Sequence, residues 1–170
     1  RPSGGGHRRR AGRRPMTDAP TGRATLEAAA HALELPYLPG QIDSLLRYMS
    51  LLQRWNATYN LTAVRDPSQM LVQHIVDCLA VAPPLMRVLG DSPAARLLDV
   101  GSGAGLPGIV LAVMCPAMQV ICVDTVGKKA AFIRQAALEL SLRNLTVEHA
   151  RVEALSLAPA ALITPRDARR

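Results

Sequence analysis

The chain has 170 residues, 49% of them hydrophobic, and a formal net charge of +7; that is enough for one domain with a sizeable core. No apolar run reaches membrane-spanning length, so the composition reads as a soluble globular chain and argues against a role inside a bilayer. Residues 1–14 carry six arginines and no acid and residues 166–170 a net +2, so residues 15–165 sum to −1 and a broadly basic, nucleic-acid-coating body is excluded.

The Arg-, Gly- and Pro-rich residues 1–15 cannot bury a core and are expected to be disordered. They read either as an RNA-binding arm or as upstream sequence read through in frame ahead of Met16. No apolar segment follows, which excludes a secretory signal, and the stretch lacks the amphipathic periodicity of a transit peptide. Cys78, Cys115 and Cys122 are odd in number, widely spaced and set in apolar segments, the pattern of buried reduced thiols.

A helical region is predicted over 24–92. It opens with a weak pattern over 24–35 that stops at Pro36. From Pro39 to Trp55, Ile42, Leu45, Leu46, Met49 and Leu52 recur on one face, with proline suited to the first turn. Arg47 and Arg54 ride on this helix as a solvated face or a stripe for RNA. The polar stretch Asn56 to Ala63 is expected to break it. Asp66-Pro67 caps a further helix that carries Met70, Leu71, Ile75 and Leu79 on one face as far as Pro83. His74 and Asp77 are three apart there, close enough to pair. The structural role of such a pair, fixing the helix against a sheet, outweighs an acid–base role without a nucleophile.

Residues 93–170 change character. Leu97, Leu98 and Val100 form a short apolar strand, Gly101, Gly103 and Gly105 follow at once, and Leu106 to Met114 reads as a helix. Strand, glycine loop and helix make a nucleotide-type turn in which backbone can approach a ligand and helix-start amides can face it. A second apolar strand, Val120 to Val123, ends in Asp124, 19 residues after Gly105. That is about where a doubly wound fold sets an acid on a ribose hydroxyl. Gly103 to Gly108 fits a dinucleotide pattern, but counted from Gly101 the pattern breaks at Leu106. Asp99 ahead of Gly101 looks instead like a class I methyltransferase, whose loop holds S-adenosylmethionine. A helix over Val126 to Leu140 turns Ala130, Ile133, Ala137 and Leu140 inward. Lys128 and Lys129 in its first turn oppose the helix dipole, hinting at an anion nearby or simply standing in solvent. Leu145 to His149 is a third strand, with Arg151-Val152-Glu153 at its carboxyl end.

Residues from about Gln41 to Glu153 resemble the bacterial RsmG (GidB) family of 16S rRNA methyltransferases. The resemblance is carried by Trp55-Asn56, Tyr59-Asn60-Leu61-Thr62, Arg65-Asp66-Pro67, His74-Ile75-Val76-Asp77, Leu98 to Gly108 with Pro107 after Leu106, Gly127-Lys128-Lys129 and Arg151-Val152-Glu153. It implies an α/β fold, a Rossmann-like doubly wound sheet with an N-terminal helical extension, in a cytoplasmic, monomeric enzyme without metal. It implies S-adenosyl-L-methionine as cofactor and methyl transfer to N7 of a guanine in the 530 loop of 16S rRNA, presented as rRNA or as a small-subunit particle. It places Gly101, Gly103 and Leu106 on the cofactor, Asp124 on its ribose and Val152 and Glu153 at its adenine end. Ala161 to Thr164 reads as a fourth strand, after which Pro165-Arg166-Asp167-Ala168 replaces the family's Ser-Arg-Ala, with Arg166 standing in for its cofactor-contacting arginine. The sheet is therefore expected to be incomplete, as in a C-terminally truncated or frameshifted copy. Two other readings are an NAD- or FAD-binding oxidoreductase fragment resting on Gly103 to Gly108, and a non-catalytic rRNA-binding module acting through its arginine-rich ends. No catalytic acid, base or nucleophile is assigned, because guanine N7 carries a lone pair and no proton, and alignment does most of the work.

Overall fold

A computed structural model describes residues 19–89, 95–155 and 162–165, with residues 19–20 and 162–165 described by backbone only. The arginine-rich start and Arg166 lie outside the described residues.

The apolar runs become four parallel strands, β1 (Arg96–Val100), β2 (Gln119–Asp124), β3 (Leu145–His149) and β4 (Leu162–Pro165), in the order β3-β2-β1-β4. Leu97 lies opposite Val120 on one side and Leu162 on the other. Both faces of β1 and β2 are buried, as the inner strands of a parallel sheet require. Leu97, Val120 and Cys122 join the large core, whereas Leu98, Ile121 and Val123 form a smaller cluster with Val100, Val152 and Leu155. The chain steps outward from β1 through β2 to β3, then returns to the other side of β1 with β4. That reversal is the topological switch of a doubly wound sheet, where ligands lie outside the carboxyl ends of the strands.

Helices α6 (Gly108–Met114) and α7 (Gly127–Glu139) make the crossovers. In α7, Ala130 and Ile133 are buried and Ala137 is half-buried, with Leu140 buried just past its end; Phe132 and Ala136, which the periodicity did not single out, are buried too. The amino-terminal helices α1 (Ala19–Ala32) and α2 (Pro39–Tyr59) share the same core as the sheet, through Leu26, Ile42, Leu45 and Leu52. Gln41 fixes the start of α2. It accepts from the Leu38 amide at 2.8 Å and donates to the carbonyls of Val113 and Met114 at the end of α6.

Helix α2 runs on past Trp55 to Tyr59, against the expected break at Asn56. The polar side chain does not compete with its own helix because its hydrogen bonds go to the following loop. Asn56 Oδ1 accepts from the Thr62 amide at 2.8 Å, and Nδ2 donates to the Val64 carbonyl at 3.2 Å. The helix stops one turn later, where Asn60 takes a left-handed conformation at φ 49°. Asp66 then caps α3 (Pro67–Met70), its Oδ1 accepting from the Gln69 amide at 2.9 Å.

The single amphipathic helix expected up to Pro83 is instead α3, a π-helical turn (Leu71–Val76), α4 (Asp77–Leu79) and α5 (Ala82–Leu89). The wider π turn rotates the face, so His74 is buried and Leu71 only half-buried. The ring of His74 meets Thr62, Nε2 to Oγ1 at 2.8 Å, while its expected partner Asp77 is exposed. End to end, Pro67–Leu89 spans 23 residues and is apolar enough to cross a membrane, contrary to the expectation of no such run. Met70, Ile75, Leu79, Ala82 and Leu85 from this span join the cluster that contains β1 and β2 residues, while Val72, Met86 and Val88 are exposed.

Arg47 and Arg54 stitch α2 to α7. Arg47 donates to the Glu139 carbonyl at the end of α7, where a cation complements the helix dipole, and Arg54 lies 3.5 Å from the Glu139 carboxylate. Cys78, Cys115 and Cys122 form no disulfide; Cys78 and Cys122 are buried and Cys115 is half-buried.

Candidate functional site

The loop after β1 is wound by three glycines with positive φ, Gly101 at 71°, Gly103 at 60° and Gly105 at 84°. At Gly105 a Cβ would lie 2.4 Å from Ile109 Cδ1, so the position excludes any side chain both by conformation and by space. The loop's amides are turned inward. Gly101 and Ser102 donate to the Val123 carbonyl at 2.8 and 3.1 Å, Gly105 and Leu106 to the Ser102 carbonyl at 2.8 and 3.0 Å, and Gly103 to Asp124 Oδ2 at 2.8 Å. The Tyr48 hydroxyl, from α2, donates to the Ala104 carbonyl at 2.6 Å.

The helix beyond starts later than expected, at Gly108 rather than Leu106, after a cis Leu106–Pro107 peptide. Its first amide is also spent, donating to Asp99 Oδ2 at 3.0 Å. Asp99 is thus a buried carboxylate under α6, next to the Cys122 thiol at 3.9 Å. Burial, reinforced by the nearby Asp99 charge, pushes the Cys122 thiol well above its ordinary range and keeps it protonated. A Cβ on Gly108 would lie 2.4 Å from Cys122 Sγ, so this glycine permits the helix to close on the sheet.

The expectation of helix-start amides facing a ligand therefore fails for a physical reason. These donors satisfy buried carbonyls and carboxylates, and a donor already paired inside offers nothing to a phosphate.

The open space lies beside the loop, at the carboxyl ends of the strands. A cleft of about 320 Å³ is lined by Val100 and Gly101 from β1, by Val123, Asp124 and Thr125 from β2, and by Ala150, Arg151, Val152 and Glu153 after β3. Of the residues singled out in the sequence, Gly101, Asp124, Val152 and Glu153 are brought together here. Gly103 and Leu106 are buried and are not part of its lining.

Asp124 is 4% exposed, and each of its oxygens holds a backbone amide, Oδ2 that of Gly103 and Oδ1 that of Val126 at 2.8 Å. A carboxylate oxygen accepts two hydrogen bonds, so Asp124 can hold the turn and still receive hydroxyl donors from the cleft. Val152 begins a short 3-10 turn (Val152–Ala154), which brings an apolar residue and the exposed Glu153 to the cleft lining.

Two rim residues carried no signal in the sequence. Thr125 lines the cleft, and its carbonyl is 3.1 Å from His149 Nε2. The same ring lies against Gly127, where a Cβ would approach it to 3.3 Å. A β2–α7 turn held by Asp124 below and His149 above is visible only once Asp124 and His149 pair across the strands. Lys128 is exposed and Lys129 half-buried at the start of α7, and neither has an ion-pair partner among the described residues.

This geometry stands beside a direct sequence match. The family model described as rRNA small subunit methyltransferase G matches residues 41–168. The chain belongs to that family. Among similar curated proteins, the ribosomal RNA small subunit methyltransferase G of Leptothrix cholodnii is 60% identical over 144 residues, covering 85% of this chain and 66% of the relative. That of Paracidovorax citrulli is 54% identical over 143 residues, covering 78% and 59%. The chain thus spans about six-tenths of the length of the family members it matches. Among solved structures, a putative O-methyltransferase from Klebsiella pneumoniae aligns over 82% of this chain and 58% of its own, at 18% identity and a TM-score of 0.47.

Proposed function

We propose that this chain is the S-adenosylmethionine-binding part of an rRNA methyltransferase, acting on N7 of a guanine in the 530 loop of 16S rRNA. The observation that carries the cofactor assignment is the inward-turned glycine loop beside an acid-lined cleft. A dinucleotide brings a pyrophosphate that needs free backbone amides at the loop. Here the amides of Gly101, Ser102, Gly103, Gly105, Leu106 and Gly108 all have acceptors within the protein. S-adenosylmethionine is a nucleoside without phosphate, and it supplies a methyl group on a sulfonium when bound. Its ribose hydroxyls match the spare acceptor capacity of Asp124, and its adenine fits between the apolar Val152 and the Glu153 side chain.

The remaining residues would work by placement. A guanine N7 needs no base to remove a proton, so the protein's contribution is to align nucleophile, methyl and leaving sulfur and to keep water away. N7 lies beside O6 on the major-groove edge, so one well-placed donor could orient the base. Family membership supports rRNA as the substrate class, and the small-subunit particle is the form expected for a body whose residues 15–165 carry a net charge of −1. The setting is cytoplasmic, and the chain acts as a monomer.

The test is calorimetric titration of the chain with S-adenosylmethionine, with NAD as control. The reading expects binding of S-adenosylmethionine alone, weakened at least about tenfold by Asp124→Asn, which removes charge and one acceptor position from the cleft floor. Binding of NAD in preference would overturn it. Transfer of a labelled methyl to small-subunit particles, mapped to a guanine N7, tests the substrate half separately.

A further inference from the structure

The chain is poor in aromatic residues, with one tryptophan, three tyrosines and one phenylalanine. Four of these five rings form one continuous chain of tilted and edge-on contacts. Tyr48 and Phe132 have centroids 6.2 Å apart, Phe132 and Trp55 5.5 Å, and Trp55 and Tyr59 5.1 Å. The inner end is anchored, since the Tyr48 hydroxyl holds the Ala104 carbonyl of the glycine loop. The outer end is open. Tyr59, the last residue of α2, is 43% exposed although its ring rests on Trp55.

A cation is tied to the residue that follows that ring. Arg65 donates to Asn60 Oδ1 at 2.8 Å, which ties the guanidinium to the residue following Tyr59. Arg65 is exposed, and among the described residues its charge has no carboxylate partner. One hydrogen bond to Asn60 leaves most of its five donors available to a phosphate. Both ring and cation are held in place before any partner arrives. Tyr59 is held by Trp55, and the 60–64 loop is held by Asn56 and by the His74–Thr62 contact.

We propose that Tyr59, packed against Trp55 and followed by Asn60, to which Arg65 is tied, is a platform on which one unpaired base of the RNA substrate stacks while Arg65 takes its phosphate. The proposal rests on the rRNA reading above and deepens it by naming a contact outside the cofactor cleft. A flat ring with a fixed cation beside it is the combination that binds single-stranded nucleic acid without reading its sequence. A pre-positioned ring also loses little conformational freedom on binding.

The test uses the whole chain and a short unstructured RNA oligonucleotide, followed by the anisotropy of a label on the RNA and by the emission of Trp55. Because Trp55 is the chain's single tryptophan, its emission reports directly on the ring beneath Tyr59. The oligonucleotide is expected to change Trp55 emission saturably, and a duplex of the same sequence is not. Tyr59→Leu should weaken binding about tenfold while Tyr59→Phe stays within about twofold, since stacking needs the ring and not the hydroxyl. Arg65→Gln should lower the salt dependence by about one released counterion. Thermal melting of each variant separates loss of contact from loss of fold. Wild-type affinity in Tyr59→Leu overturns the platform and leaves the rRNA reading standing. A chain that binds neither the oligonucleotide nor small-subunit particles overturns both. A Tyr59-dependent response to RNA-free ribosomal proteins assigns the ring to a protein partner and also overturns the platform.

Discussion

The glycine loop and the cleft rim sit side by side and are built on opposite principles. The amides of Gly101, Ser102, Gly103, Gly105, Leu106 and Gly108 are spent inside the protein, and Asp99, Ser102 and Ala104 are buried. Across the cleft, Thr125, Arg151 and Glu153 are exposed. The loop acts as scaffold and the rim holds the groups open to a ligand. Asp124 belongs to both, holding the loop through Gly103 and the rim turn through Val126. A glycine motif can thus mark where a ligand lies without itself supplying the contacts.

The largest expected effect falls on the loop. Gly105→Ala forces a Cβ into Ile109 at a positive φ and should cost roughly 3 kcal/mol of stability. Urea unfolding would read this as a lower midpoint, and an unchanged midpoint would end the scaffold interpretation. Asp124→Asn should register on both sides. Its amide group can accept at only one atom, so one of the Gly103 and Val126 bonds is lost, for about 1–2 kcal/mol. Cofactor affinity should fall in the same variant, a double signature that neither region alone would give.

Cys122 offers a pH test of the scaffold. Its folded pKa is raised above the ordinary 9.0, so its contribution is fully present below that value and is lost as pH rises toward the folded pKa. The denaturation midpoint should therefore decline above about pH 9 more steeply in the native chain than in Cys122→Ala, by up to one proton's worth of slope. Equal slopes would mean that the thiol is not shielded. The smallest effect belongs to the rim. Glu153→Gln should leave stability within about 0.5 kcal/mol and lower S-adenosylmethionine affinity only a few-fold. A large loss of stability there would erase the distinction between the two regions.

The sheet was legible in the sequence because each strand is a short apolar run bounded by polar or glycine residues, and β3 falls on Leu145–His149 as read. Helix α7 was legible for the same reason. What escaped were elements whose logic is tertiary. Asn56 looks like a helix breaker until Thr62 and Val64 are seen to use its side chain. The turn at Leu71–Val76 escaped because one extra residue per turn shifts the apolar phase, and nothing in the residue types announces it. At the site, Gly101, Asp124, Val152 and Glu153 share the cleft wall because strand ends converge there, a consequence of the βαβ order. Gly103 and Leu106 match a motif just as well and are buried outside that lining, since the direction of a backbone amide is not written in a glycine spacing. Thr125 and His149 had no signal, because their contact depends on the register that sets Asp124 beside His149.

The strand order has a consequence for how this chain is made. β1 lies in the interior of the sheet, but its two neighbours reach it at very different times, β2 soon after it and β4 only when Leu162 has been synthesised. At ordinary elongation rates of about 5–20 residues per second, one edge of β1 stays unpaired for several seconds while the helices and β2–β3 are already able to fold. During that interval the nascent chain presents an apolar strand edge open to pairing with another chain. Of the four strands described, the latest in chain order is thus the one that closes the second side of β1.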